Sequence, residues 1–194
     1  MTREKAKKFS FSIWLRATFL GWVIGFFLVI GLVLIWDAIG VGSSQFMIGV
    51  GMGAGVGFMQ GRAAKGWLDS PKQWLTMSAI GMGAPFVVFD IFKVLNYKLP
   101  YSLPISIAAG GLLTGLLQMR LLPRRSAKMN LWPVAGFAGW ALAGGASSLA
   151  DSLRFVSNVT GVLGALLYIL IVLAGGVILG TVTGGVLMKM FSRN

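Results

Sequence analysis

The chain of 194 residues contains no cysteine and no histidine. Without thiols there are no disulfides, no iron–sulfur ligation and no thiol nucleophile. Without imidazole the commonest general base, the commonest metal ligand and the usual axial ligand of haem are gone as well. Acidic side chains are scarce, five against seventeen basic ones, and charged residues make up only 11% of the chain. What is abundant is apolar: 56% of residues are hydrophobic and the mean hydropathy is +0.82, far from the composition of a soluble domain. Ala17 to Trp36 and Gly161 to Met188 carry no charge at all. Either run is long enough to cross a hydrocarbon core of about 30 Å.

Apolar runs read against Pro, Gly and charge punctuation give six spans, at about 13–37, 45–64, 72–92, 103–121, 132–151 and 160–189, in one transmembrane domain covering 13–194 after a basic segment at 1–12. The expected fold is therefore all-α, an integral membrane six-helix bundle. The basic start resembles a signal peptide, but its apolar run is too long and lacks a small-x-small cleavage site, so a retained signal anchor is expected. Ser70 before Pro71 reads as an N-cap and first helical position, Ser102 with Pro104 marks another helix start, and Pro85 is expected to kink the third span.

The net charge of +12 raises the question of nucleic acid, and its distribution answers it. With the N-terminus in the cytoplasm, Arg3, Lys5, Lys7, Lys8, Arg16, Arg62, Lys65, Lys72, Arg120, Arg124, Arg125, Lys128, Lys189 and Arg193 lie inside, and only Lys93, Lys98 and Arg154 outside. This asymmetry sets both termini inside. Arg62, Lys65, Arg120, Arg124, Arg125 and Lys189 are then topology determinants and partners for anionic lipid headgroups, with no nucleic-acid role.

Glycine occupies every odd position from Gly49 to Gly57 and returns at Gly61. A dinucleotide fingerprint mixes odd and even offsets, and no Gly-Lys-Ser/Thr follows, so the nucleotide reading fails. On a helix Gly49, Gly53, Gly57 and Gly61 share one face and Gly51 and Gly55 the opposite one. Such a helix suits close packing between two neighbours in a membrane. The alternative is a pore lined by exposed backbone. A shift of 58 residues superposes Gly53, Gly57, Gln60, Arg62, Trp74 and Gly81 on Gly111, Gly115, Gln118, Arg120, Trp132 and Gly139. Each copy reads Gly-x3-Gly-x2-Gln-x-Arg, a basic loop, then Trp-x6-Gly: a repeated helix hairpin. Trp14 and Gly21 supply the second half of a third copy. Gly180, Gly184 and Lys189 supply its first half, with Leu187 in place of glutamine. Three units in one orientation are expected to close around a pseudo-threefold axis along the membrane normal.

The pattern, as in "GGLLTGLLQMRLLPRRSAKMNLWPVAGFAGWALAG", resembles a repeat seen in uncharacterised bacterial, including cyanobacterial, multi-pass membrane proteins. The resemblance spans roughly 100–140 residues and implies a bacterial inner (plasma) membrane protein, or a thylakoid one if cyanobacterial, with no activity to carry over.

Asp37, Asp90 and Asp151 fall at the outer ends of spans, where the macrodipole opposes a carboxylate. They are read as solvated span ends, against the alternative of a carboxylate ring that gathers cations at a vestibule. Gln60 and Gln118 are read as interhelical hydrogen-bonding groups, against the alternative of a polar solute path that would join them with the three aspartates. The methionines near them are expected to fill gaps. No cluster of acid, base, nucleophile or metal ligands emerges, so no enzyme, cofactor or metal is expected. The expected role is an accessory, assembly or interaction subunit, packing against other membrane proteins or its own copies through Gly49, Gly53, Gly57, Gly61, Gly111, Gly115, Gly180 and Gly184. A small-solute or ion transporter is the alternative.

Overall fold

The structure, a computed structural model, describes residues 9–191 except 41, 43, 69, 98–99, 123–127 and 157–160. Six helices account for nearly all of them: α1 (Phe11–Ala38), α2 (Phe46–Ala63), α3 (Pro71–Val94), α4 (Ser102–Met119), α5 (Leu131–Val156) and α6 (Gly161–Phe191). No strand occurs among the described residues. Their ends follow local chemistry. Ser70 caps α3, its hydroxyl accepting from the Gln73 amide at 3.3 Å, and Pro71 opens the helix where its missing N–H is not needed. Tyr101 enters α4 from a left-handed conformation. The helix assigned to α3 runs through Pro85 without interruption.

Each helix packs on the one before it, and α6 returns to pack on α1, so the six form a closed ring. The starts of α1, α3 and α5 share one end with the finishes of α2, α4 and α6. Gly61 there lies against Pro71, and Gly184 against Phe11 and Trp14.

The outer surface is apolar, with Phe27, Leu34, Ile80, Val88, Ile105, Val134, Val162 and Leu170 among many large exposed side chains. Four helices (α1, α3, α4 and α6) are long and apolar enough to cross a membrane. An apolar exterior around polar buried contacts is what lipid as solvent requires, and the chain is a helical membrane protein. α2 is less apolar for a local reason. Its glycines add little hydropathy, and Gln60 and Arg62 reduce it further, but α1 and α3 flank it.

The ring closes tightly because small residues sit wherever helices meet. Along the contacts α2–α3, α4–α5 and α6–α1, a Cβ on Gly49 would reach Met82 O at 2.5 Å, one on Gly111 would reach Gly136 O at 2.6 Å, and one on Gly184 would reach the Phe11 ring at 2.9 Å. Cβ atoms on Gly53 and Gly57 would collide with Ser78 of α3, one on Gly115 with Pro133 of α5, and one on Gly180 with Leu15 of α1. The alternate contacts use the glycine of each Trp-x6-Gly. Gly21 faces Val56, Gly81 faces Thr114, and Gly139 faces Leu179 and Thr183. Every glycine expected to serve helix packing thus meets a helix of its own chain.

Candidate functional site

The interior is built in layers. Trp14, Trp74 and Trp132 open α1, α3 and α5, and all three are buried. Their rings form a triangle with centroid separations of 6.0, 6.1 and 5.6 Å. Ala64, Leu68, Leu122, Leu187 and Met190 fill in around them, and Phe9, Trp67 and Phe191 cover the end. Further along, Trp22 and Trp140 pack at 5.5 Å in a second apolar cluster with Val56, Met82, Phe86 and Leu179. Trp22 and Trp140 lie eight residues beyond Trp14 and Trp132, and Met82 eight beyond Trp74.

Between the two apolar layers lies a polar one. Gln60 Oε1 accepts from the Trp74 indole at 3.3 Å, and its Nε2 donates to Thr18 Oγ1 at 3.1 Å. Gln118 repeats this: Oε1 accepts from the Trp132 indole at 3.1 Å and Nε2 donates to Ser78 Oγ at 2.8 Å. Thr18 and Ser78 stand four residues after Trp14 and Trp74, one helical turn on, facing the glutamine of the next helix. Ser78 Oγ donates onward to Trp74 O at 2.7 Å. In the third set Leu187 cannot accept a hydrogen bond. The Trp14 indole instead donates at 3.0 Å to Thr183 Oγ1, one turn earlier on α6, and Thr183 donates to Leu179 O at 2.6 Å. The position matching Thr18 and Ser78 is Gly136, so the hydroxyl is absent from the same set that lacks the glutamine. Glutamine and hydroxyl come and go together.

This layer surrounds a cavity of about 10 Å³, lined by Gln60, Ser78, Thr114, Gln118 and Thr183 with Val56, Trp132, Gly136, Trp140 and Leu179. The structure therefore brings Gln60 and Gln118 into one buried site, together with hydroxyls that sequence reasoning missed. A Trp-x3-Ser/Thr step, present at Trp14–Thr18 and Trp74–Ser78, was the available signal.

The aspartates behave differently. Asp90, near the end of α3, is turned to the start of α2. It accepts from the Gln45 amide at 3.0 Å, from the Phe46 amide at 2.8 Å, and from the Ser44 hydroxyl. The carboxylate opposed by its own helix dipole is thus stabilised at the N-terminus of a neighbour. Asp37 is exposed on α1, and the Asp151 side chain lies outside the described residues. An open apolar groove of about 240 Å³ runs beside Asp90 between Phe46 and Leu95. Among the described residues no three His, Cys, Asp or Glu side chains converge on a metal site.

Of the basic residues, Arg62, Lys65, Arg120 and Lys189 are exposed at the end where the tryptophan triangle lies, and Arg62 stacks on the Phe58 ring at 5.7 Å. Arg124 and Arg125 lie outside the described residues. Met47 and Met82 are buried, Met82 against Gly53 and Gly110. No protein-family model, curated protein or solved structure matches the chain.

Proposed function

We propose that the chain is a non-catalytic membrane subunit, an accessory or assembly component that docks against other membrane proteins or against its own copies. The observation that supports this most is the packed interior. Three tryptophans fill one layer of the ring's centre, the polar groups beside them largely satisfy one another, and the space left is about 10 Å³. A resting pathway for a hydrated solute needs far more room. Because the packing glycines face the chain's own helices, docking in this reading falls to the apolar outer face. Tryptophan at all three equivalent positions (Trp14, Trp74, Trp132) and glutamine at two of the three (Gln60 and Gln118, with Leu187 at the third) support a pseudo-threefold assembly of hairpins. The basic asymmetry supports cytoplasmic termini in a bacterial inner membrane, or in a thylakoid if the source is cyanobacterial, with Arg62, Lys65, Arg120 and Lys189 at anionic headgroups.

A transporter is the second reading, favoured by one observation: the polar layer lies at the centre of the ring. Purification in mild detergent at native expression tests the first reading. A stoichiometric membrane-protein partner or a defined oligomer is expected, and proteoliposomes containing the chain alone should be no leakier than empty vesicles. Solute or ion flux above that background, with a monomer that captures no partner, would establish the second reading instead.

A further inference from the structure

We propose that the central cavity is a built site for one buried water molecule, held by the Thr114 hydroxyl and the glutamine amides. The inference is independent of the docking role. Thr114 is only 4% exposed, and its Oγ1 is buried without a hydrogen-bond partner. Its counterpart Thr183 has partners for both roles, accepting from Trp14 and donating to Leu179 O. A buried hydroxyl left unpaired is costly, and native proteins meet such groups with protein or with water. The cavity that Thr114 lines has about the volume that one water needs, and its walls offer the two to four polar partners such a water requires.

Those partners can be counted. Gln60 and Gln118 each use one amide N–H and one carbonyl lone pair in the contacts already described, so each retains one of both. Ser78 Oγ, which donates to Trp74 O and accepts from Gln118, retains a lone pair. A water accepting from the Thr114 hydroxyl and donating to two of these oxygens gives Thr114 the partner it lacks. The oxygens could also address a bare monovalent cation. No carboxylate lines the cavity, however, and a cation taken from water without a counter-charge is strongly disfavoured.

The test is an experimental structure of the full chain at a resolution that shows ordered waters, with thermal melts of wild type and Thr114→Val in detergent. One solvent peak at hydrogen-bonding distance from Thr114 Oγ1 and at least one glutamine is expected, absent from the variant. Wild-type melts should coincide in sodium, potassium and choline chloride. Thr114→Val should melt lower, because valine leaves the water short of a partner. An empty cavity in wild type would overturn the proposal, as would a melting temperature that rises in Thr114→Val, since deleting a truly unpaired hydroxyl relieves a penalty. Stabilisation by sodium or potassium over choline would overturn it in favour of a cation. Should Thr114→Val fail to fold, the wild-type density and the salt comparison still decide.

Discussion

Gln60 joins three helices through one side chain, accepting a hydrogen bond from the Trp74 indole on α3 and donating one to Thr18 on α1. Its removal therefore strands a buried indole donor, which costs more than the bond itself is worth. Gln60→Leu should lower unfolding free energy by about 1–3 kcal/mol, the penalty for one buried unsatisfied donor. Trp74→Phe removes the donor instead. In the double variant Gln60→Leu/Trp74→Phe no indole is left stranded, so its loss should be smaller than the sum of the single losses, which unfolding curves in detergent can measure. Strict additivity would mean that the bond contributes nothing. Part of this was legible. The glutamine pair stands out under the 58-residue shift, and each glutamine precedes its tryptophan by fourteen residues. The partners Thr18, Ser78 and Thr183 were not legible, because a sequence does not say how far each helix is rotated about its own axis. The substitution at Leu187 illustrates the same limit: its loss is made good one turn away, at Thr183.

At the scale of the helix, hydropathy located all six elements, most ends to within two residues, since span ends coincide with punctuation by charge, proline and serine caps. α5 runs on to Val156, five residues past the span end expected at 151, because Asp151 and Arg154 read as a boundary while a helix can continue past its apolar stretch. The odd-numbered glycines announced a helix smooth on two sides, and α2 meets α3 through Gly49, Gly53 and Gly57 and α1 through Gly51 and Gly55. Small residues at membrane helix crossings let backbones touch and give dispersion its reach. A methyl group on Gly55 would land on Gly25 N and Gly21 O, backbone atoms that cannot turn aside, whereas one on Gly185 of α6 meets nothing within 4 Å. Gly55→Ala should therefore reduce the yield of folded protein or cut its melting temperature sharply. Gly185→Ala should leave the melting temperature unchanged or slightly higher, since alanine is favoured over glycine in a helix interior by roughly 0.5–1 kcal/mol. Equal melting temperatures for the two variants would show that the α1–α2 crossing does not depend on backbone contact.

For the molecule as a whole, the third hairpin expected from the sequence falls at the two ends of the chain; the structure packs α6 on α1, so the ring has no gap in its order. The packed interior could not be read in advance, because a polar residue pattern fits a solute path and a satisfied network equally well. Asp90 shows the same ambiguity: its position reads as a solvated span end, with a vestibule carboxylate as the alternative, and by geometry it is the cap of α2. The ring also makes membrane orientation testable with few probes. Tyr101, at the turn before α4, is 78% exposed, and Lys65, just after α2, is exposed at the other end of the bundle. The chain has no native cysteine to confuse a thiol reagent. In a single-cysteine pair, Tyr101→Cys should react in intact cells with a membrane-impermeant maleimide, and Lys65→Cys only after permeabilisation. Antiparallel neighbours in the ring require the two sites to lie on opposite sides whichever way the bundle is inserted. The direction follows from the concentration of basic residues at the Lys65 end, which resists translocation. A reversed pattern would keep the bundle and invert its insertion. Labelling of both sites in intact cells would contradict the spanning arrangement itself.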